Sequence, residues 1–405
     1  MTKSEMEIAD VIRKTKSALL FTGIKEDTGS ATDKLINECL FYFNTIWLYS
    51  DVIAEIFWLI EAIKLGISFE DIAILAPCMT VSILSTAKMG PLYFNRDILI
   101  GSVHKLNDLN AELDEEDDVD IETEGTKRDI VRNSKLLLNN VIVLMTYVCY
   151  VVVIVFSCMP LISMCYDYYE EGETEYKLPF LVRYFFDPFT RTRWPFVYFH
   201  QIWSTVIAAI NVFASDTLFY VYCVCIDMHF QILSLRLEHV FTSPLCSCNM
   251  TLKFKSCLRR HQDLILLVDQ VEILYSKSLL FNIITSSFLI CLSGFNITSL
   301  DDTGAVVAFI TFLFMSLSQI SLLCYFGDLL IKSVSATVSD AIYKSNWYIM
   351  DRQVRSSISF FRAQKPCKLT AWKFANLNLS AFTTVIDGSQ QVDSACLRSL
   401  YPIKI

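Results

Sequence analysis

The chain has 405 residues, of which 53% are apolar, with a mean hydropathy of +0.43 and a formal net charge of −9. That apolar fraction is too high for an ordinary soluble domain and fits a chain that lives in a bilayer. The acidic balance is not that of a nucleic-acid-binding protein. No linker rich in Pro, Gly or Ser divides the sequence, so residues 1–405 read as one membrane domain.

Residues 1–30 are polar and charged, with no continuous apolar run ahead of a small-residue cleavage site. No signal peptide is expected, and the first span is expected to direct insertion itself. Six long apolar spans follow, at 39–63, 72–94, 136–164, 197–230, 273–300 and 304–331, with a weaker seventh at about 374–397. Each of the six reaches the roughly 20 residues a helix needs to cross a bilayer. Span one carries Asp51 and Glu55 one turn apart, span two carries Lys88, and span four carries Asp216. An ionisable group at bilayer depth costs at least ~2.5 kcal/mol and so normally faces protein or water.

The second connection contains the acidic run Glu112 to Glu124, which reads as a solvated loop. The connection between spans three and four, Cys165 to Phe196, is rich in aromatic residues and holds Pro179, Pro188 and Pro195. Such a loop can sit in the interfacial aromatic belt or fold as a lid over a ligand entrance, and the residues leave both open. Span four is too long for a bilayer. Its apolar stripe runs on through His229, Ile232, Leu233, Leu235 and Leu237. A helix from Pro195 to His239 would be roughly 65 Å long against a hydrocarbon core of about 30 Å. Residues Cys257–Tyr275 repeat the stripe, so a helix bundle outside the membrane is expected.

Sorting the cations by connection places 26 Lys and Arg on one side and seven on the other, with Lys88 inside a span. The positive-inside rule then puts the N-terminus in the cytoplasm and, after seven crossings, the C-terminus outside. This is the reverse of a G-protein-coupled receptor. Most of the 14 Cys lie in or beside spans and read as small hydrophobes; Cys165 is the clear outer-side disulfide candidate. Asn296-Ile297-Thr298 matches a glycosylation site that hugs the membrane. The five His are scattered without metal spacing, and no phosphate loop, zinc motif or nucleophile elbow occurs, so neither an enzyme nor a cofactor is expected.

Residues 339–385 contain Tyr343-x-x-x-Trp347, an amphipathic stretch ending near Arg362 to Pro366, then Asn376-Leu377-Asn378-Leu379 and Phe382. In this order they resemble the C-terminal signature of insect odorant receptors. Leu178–Asp187 with Pro188, followed by Val197 to Trp203, is similar to the corresponding stretch of moth and butterfly members. The resemblance implies an all-α membrane protein of seven transmembrane helices with a cytoplasmic helical anchor. The expected parts are a cytoplasmic segment 1–38, helices one to six over 39–331, an anchor region 332–373 and a pore-lining seventh helix 374–400.

It further implies the odorant-binding tuning subunit of a ligand-gated, non-selective cation channel. Such a subunit assembles as a heterotetramer with the odorant receptor coreceptor in the plasma membrane of olfactory sensory neurons. Its ligand would be a small, volatile, apolar plant odorant or pheromone. Family members hold it in the outer half of helices two, three, four and six. Those halves carry Met79, Thr80 and Ile83; Tyr147, Tyr150, Ile154 and Ser157; Trp203, Ile207 and Asn211; and Phe309, Phe312 and Met315. For each of them, helix or lipid packing is the competing reading. Because helices two and four share that wall, Lys88 and Asp216 are candidates to pair. The family register places Gln391, Val392, Ala395 and Ser399 toward the pore, although Asp387 to Leu400 is unusually polar for a spanning helix and also reads as an atypical terminal segment. A gustatory-type chemoreceptor channel and a membrane transporter are the alternatives.

Overall fold

The computed structural model describes residues 15, 17–24, 31–67, 69–115, 121–172, 175–242, 247–299, 303–334, 338–344, 370–371 and 375–376. The described helices are α1 (Ala31–Leu65), α2 (Phe69–Phe94), α3 (Arg96–Glu115), α4 (Ile121–Glu171), α5 (Trp194–Thr242), α6 (Ser247–Ser299), α7 (Thr303–Lys332) and α8 (Val338–Lys344). A two-residue antiparallel pair joins β1 (Thr370–Ala371) to β2 (Ala375–Asn376), with β1 against α6. The six strong spans correspond to α1, α2, α4, α5, α6 and α7. The seventh span lies outside the described residues, apart from β2.

Four of these helices, α4 to α7, are long and apolar enough to cross a membrane by length and composition. Helices α4, α5 and α6 contain 51, 49 and 53 residues. At 1.5 Å per residue each is about 75–80 Å long, more than twice a hydrocarbon core. They therefore run well past the bilayer, and α3 packs against α6 along that extension.

Helix α5 is the axis of the molecule. Residues 214–230 are buried without a break. A helix apolar all round can only be stable when it is enclosed, and α5 touches α1, α2, α4, α6, α7 and α8. Phe219, Tyr220, Tyr222 and Phe230 are fully buried in the main core with Leu109, Leu264, Leu267 and Phe326. Two of the buried tyrosine hydroxyls find partners: Tyr222 Oη lies 2.6 Å from Ser102 Oγ, and Tyr275 donates to the Ser215 carbonyl at 3.2 Å.

Polar links tie the extension together. Arg260 bonds Glu112 at 2.9 Å, the Leu109 carbonyl at 3.1 Å and His229 Nδ1 at 3.3 Å. A guanidinium only donates, so Nδ1 accepts and the proton sits on Nε2, which donates to Asn110 Oδ1 at 2.9 Å. Lys105 meets Asp263 at 3.0 Å. Asp227 of α5 accepts from Gln231 at 2.8 Å and from the Ser333 hydroxyl just past α7.

Two glycines close turns that other residues would strain. Gly66, at φ 66°, ends α1, and the Ile67 amide reaches back to the Ala62 carbonyl at 3.0 Å. Gly23, at φ 83°, ends the turn of residues 17–23. A Cβ there would stand 2.5 Å from the Asn37 carbonyl oxygen and 2.7 Å from the Phe41 nitrogen. The segment before α1 thus rests backbone to backbone on α1.

Candidate functional site

An apolar cavity of about 70 Å³ lies between α2, α4, α5 and α7, near the loop that joins α4 to α5. That is space for several waters, and about half of the roughly 150 Å³ at which an apolar cavity takes up benzene. The α2 wall is Cys78, Val81, Ser82 and Leu84. The α4 wall is Met145, Val148, Cys149, Val152 and Phe156. Helix α5 contributes Ser204, Thr205, Ala208, Ala209, Val212 and Phe213, and α7 contributes Phe312, Met315, Ser318 and Gln319. Asp51 reaches it from α1, and Phe180 from the connecting loop. A concave apolar site with a few placed polar groups is the usual form of a small-molecule pocket.

The loop is held over the cavity by bonds at several points. The Phe180 amide donates to Gln201 Oε1 at 3.1 Å, and the Arg183 amide to the Ala54 carbonyl at 3.0 Å. Trp194 Nε1 donates to the Lys177 carbonyl at 2.9 Å, and Lys177 bonds Asp167 at 2.6 Å. Tyr184 donates to Asp51 at 3.3 Å. Burial, with the Asp51 charge beside it, pushes the Tyr184 phenol well above its usual value, so it stays a donor. The Phe180 ring lies 6.1 Å from Phe156, which lies 4.4 Å from Phe312. The aromatic loop is therefore part of the wall, closing the cavity at one end.

At the other end stands a buried polar triad. Lys88 of α2 meets Asp216 of α5 at 2.5 Å, and Gln319 of α7 donates to the second Asp216 oxygen at 2.6 Å. Lys88, Asp216 and Gln319 are 2%, 3% and 2% exposed. The ion pair weighed from the sequence is present, and Gln319 is a third member that nothing in the sequence marked.

The sequence-selected residues divide by helix face. Phe312 and Met315 line the cavity, and Phe309 packs beside Phe312 at 6.5 Å. Trp203 and Ile207 lie on the neighbouring face of α5, where Ile207 is buried against Leu48 and Trp203 meets Phe21. Asn211 borders a small void with Thr22, Asn44 and Met89. Met79 and Thr80 are half-buried outside the cavity wall, and the Thr80 hydroxyl donates to the Ala76 carbonyl at 2.7 Å. Ile83, Tyr147, Tyr150 and Ile154 are exposed on the outer faces of α2 and α4. Ser157 gives its carbonyl to Tyr198 at 2.7 Å. The four pore candidates Gln391, Val392, Ala395 and Ser399 lie outside the described residues.

On α5 the cavity is built by Ser204, Ala208 and Val212, each one position after Trp203, Ile207 and Asn211. One residue is 100° of helix rotation. A cavity opens where side chains are small, and the signal to follow was Ser82, Ala208 and Ala209 rather than the bulky aromatics. Asn296 is buried within α6, which closes its glycosylation motif to modification, and Cys165 is an exposed free thiol.

The long apolar helices packed around an apolar cavity are those of a multi-pass, all-helical membrane protein. A family model described as 7tm Odorant receptor matches residues 71–389, and the chain belongs to that family. It is 26% identical to odorant receptor 67c of Drosophila melanogaster over 91% of this chain and 85% of that one. It is 25% identical to the putative odorant receptor 92a of the same fly over 86% and 84%. The solved insect olfactory receptor OR5 from Machilis hrabei superposes with a TM-score of 0.81 at 14% identity, covering 97% of this chain and 99% of that chain. The same receptor has been solved in complex with eugenol, which superposes at 0.80. The chain is therefore a receptor rather than an enzyme, with the family's seven-helix fold.

Proposed function

We propose that this chain is the ligand-sensing subunit of a ligand-gated, non-selective cation channel, and that the cavity under Phe180 is its odorant site. The observation that carries this reading is the apolar cavity walled by α2, α4, α5 and α7 and covered at one end by a bonded loop. The Machilis hrabei receptor binds eugenol, a small and largely apolar molecule. A cavity with this lining suits a volatile of the same general kind, whether plant odorant or pheromone.

In this reading the N-terminus is cytoplasmic, the loop between α4 and α5 faces outside, and the extension of α3 to α6 is a cytoplasmic anchor. The distribution of Lys and Arg supports it. The domain plan is the single one set out from the sequence, with the seventh helix, 374–400, lining the pore through Gln391, Val392, Ala395 and Ser399. The chain works with the odorant receptor coreceptor as a heterotetramer in the plasma membrane of olfactory sensory neurons.

Two-electrode recording in oocytes tests this against a volatile panel, with and without coreceptor. The expected result is an inward cation current that needs the coreceptor and a particular odorant. Saturable uptake of a substrate with no gated current would instead establish a transporter.

A further inference from the structure

The Lys88–Asp216 pair fixes how Gln319 must stand. A carboxylate paired with an ammonium has only lone pairs to offer, so the Gln319 amide turns its NH₂ group to Asp216 Oδ2, at 2.6 Å. The amide orientation is thereby set by chemistry rather than by a choice between like-looking atoms. Oε1 is then left as an acceptor. No described residue donates to it, and Gln319 is 2% exposed on the cavity wall. A buried acceptor without a donor is costly, and a ligand that supplies one gains what the wall lacks.

The rest of the wall has few hydrogens to give. Four hydroxyl residues line the cavity: Ser82, Ser204, Thr205 and Ser318. Three of them spend their protons on their own helices: Ser204 on the His200 carbonyl at 3.1 Å, Thr205 on Gln201 at 3.0 Å and Ser318 on Phe314 at 2.7 Å. The polar end opposite Gln319 is the Asp51 carboxylate. A ligand whose only polar atom is an acceptor, such as an ether, finds only the Ser82 hydroxyl and the weak thiol donors of Cys78 and Cys149 on this wall.

We propose that the cavity selects an apolar molecule bearing a hydroxyl group, whose hydrogen is received by Gln319 Oε1. This rests on the cavity being the odorant site. It names the chemical class of the ligand within that site and a residue that sets specificity.

The test is dose–response recording in oocytes with the coreceptor and surface labelling. The probes are linear and aromatic alcohols of about six to ten carbons, each beside its own methyl ether. One hydrogen bond predicts that the wild-type chain responds to its best alcohol at about five- to tenfold lower concentration than to the matched ether. In Gln319→Met, of similar length and apolar, that alcohol-to-ether ratio, compared within the same surface-expressed variant, should fall to about twofold. Ethers that match alcohols in the wild type would overturn the hydroxyl subsite while leaving the odorant reading in place, with no need for the variant to fold. A ratio unchanged in surface-expressed Gln319→Met would remove Gln319 from the role. Silence toward every volatile, with protein and coreceptor at the surface, would overturn the odorant reading and the subsite together.

Discussion

Lys88, Asp216 and Gln319 join three helices through one carboxylate. Removing one partner of a buried pair leaves a charge that neither water nor protein compensates, at a cost of about 3–5 kcal/mol. Lys88→Met should therefore sharply reduce surface expression. Lys88→Met with Asp216→Leu should recover much of it, because an apolar replacement of both partners is close to neutral. Surface biotinylation of the single and double variants checks this, and a double variant no better than the single would refute the pairing. The pair could be raised from the sequence because an ionisable group inside an apolar span demands a partner, and the family resemblance set helices two and four on one wall; Asp51 and Glu55 of span one left the choice of partner open. Gln319 was not legible, since a neutral amide raises no such demand.

At the scale of elements, the length of α5 and the stripe on α6 were readable because periodicity and rise per residue are fixed by helix geometry. Which face of each helix meets the cavity was not. The residues chosen on α2, α4 and α5 were large or polar, and the structure turns many of them to the outer surface or to a neighbouring contact. Tyr147 and Tyr150 are 67% and 65% exposed, while Val148 and Val152 line the cavity. A void forms where small residues stand, so bulk is a poor guide to it. The loop was ambiguous in the sequence because its main-chain anchors, such as Arg183 to Ala54, leave no trace in side-chain identity. The segment before α1 gives a separate prediction. Gly23→Ala adds a methyl group within 2.5 Å of the Asn37 carbonyl at a positive φ. It should cost about 1–3 kcal/mol, read as a lower melting temperature of detergent-solubilised receptor by fluorescence-detected size exclusion. An unchanged melting temperature would mean that the segment does not contribute to the folded core.

At the scale of the molecule, α5 runs from the cavity, past the Lys88–Asp216–Gln319 triad, to the His229–Arg260 network of the extension. A ligand that moves α5 or α7 at the cavity would strain the triad beside it. The cavity and the extension thus share one buried helix. The central claim is that the cavity is where the odorant binds. The most direct measurement is the odorant dose–response of Ala208→Phe beside Tyr147→Ala, recorded with coreceptor and normalised to surface protein. Ala208 lines the cavity and Tyr147 is exposed on α4. Filling the cavity should raise the half-maximal odorant concentration by about tenfold or more, corresponding to ~1.4 kcal/mol of lost binding, while Tyr147→Ala leaves it within about twofold. The opposite pattern, with Ala208→Phe unchanged and Tyr147→Ala impaired, would place the odorant on the outer face of α4 and contradict the account.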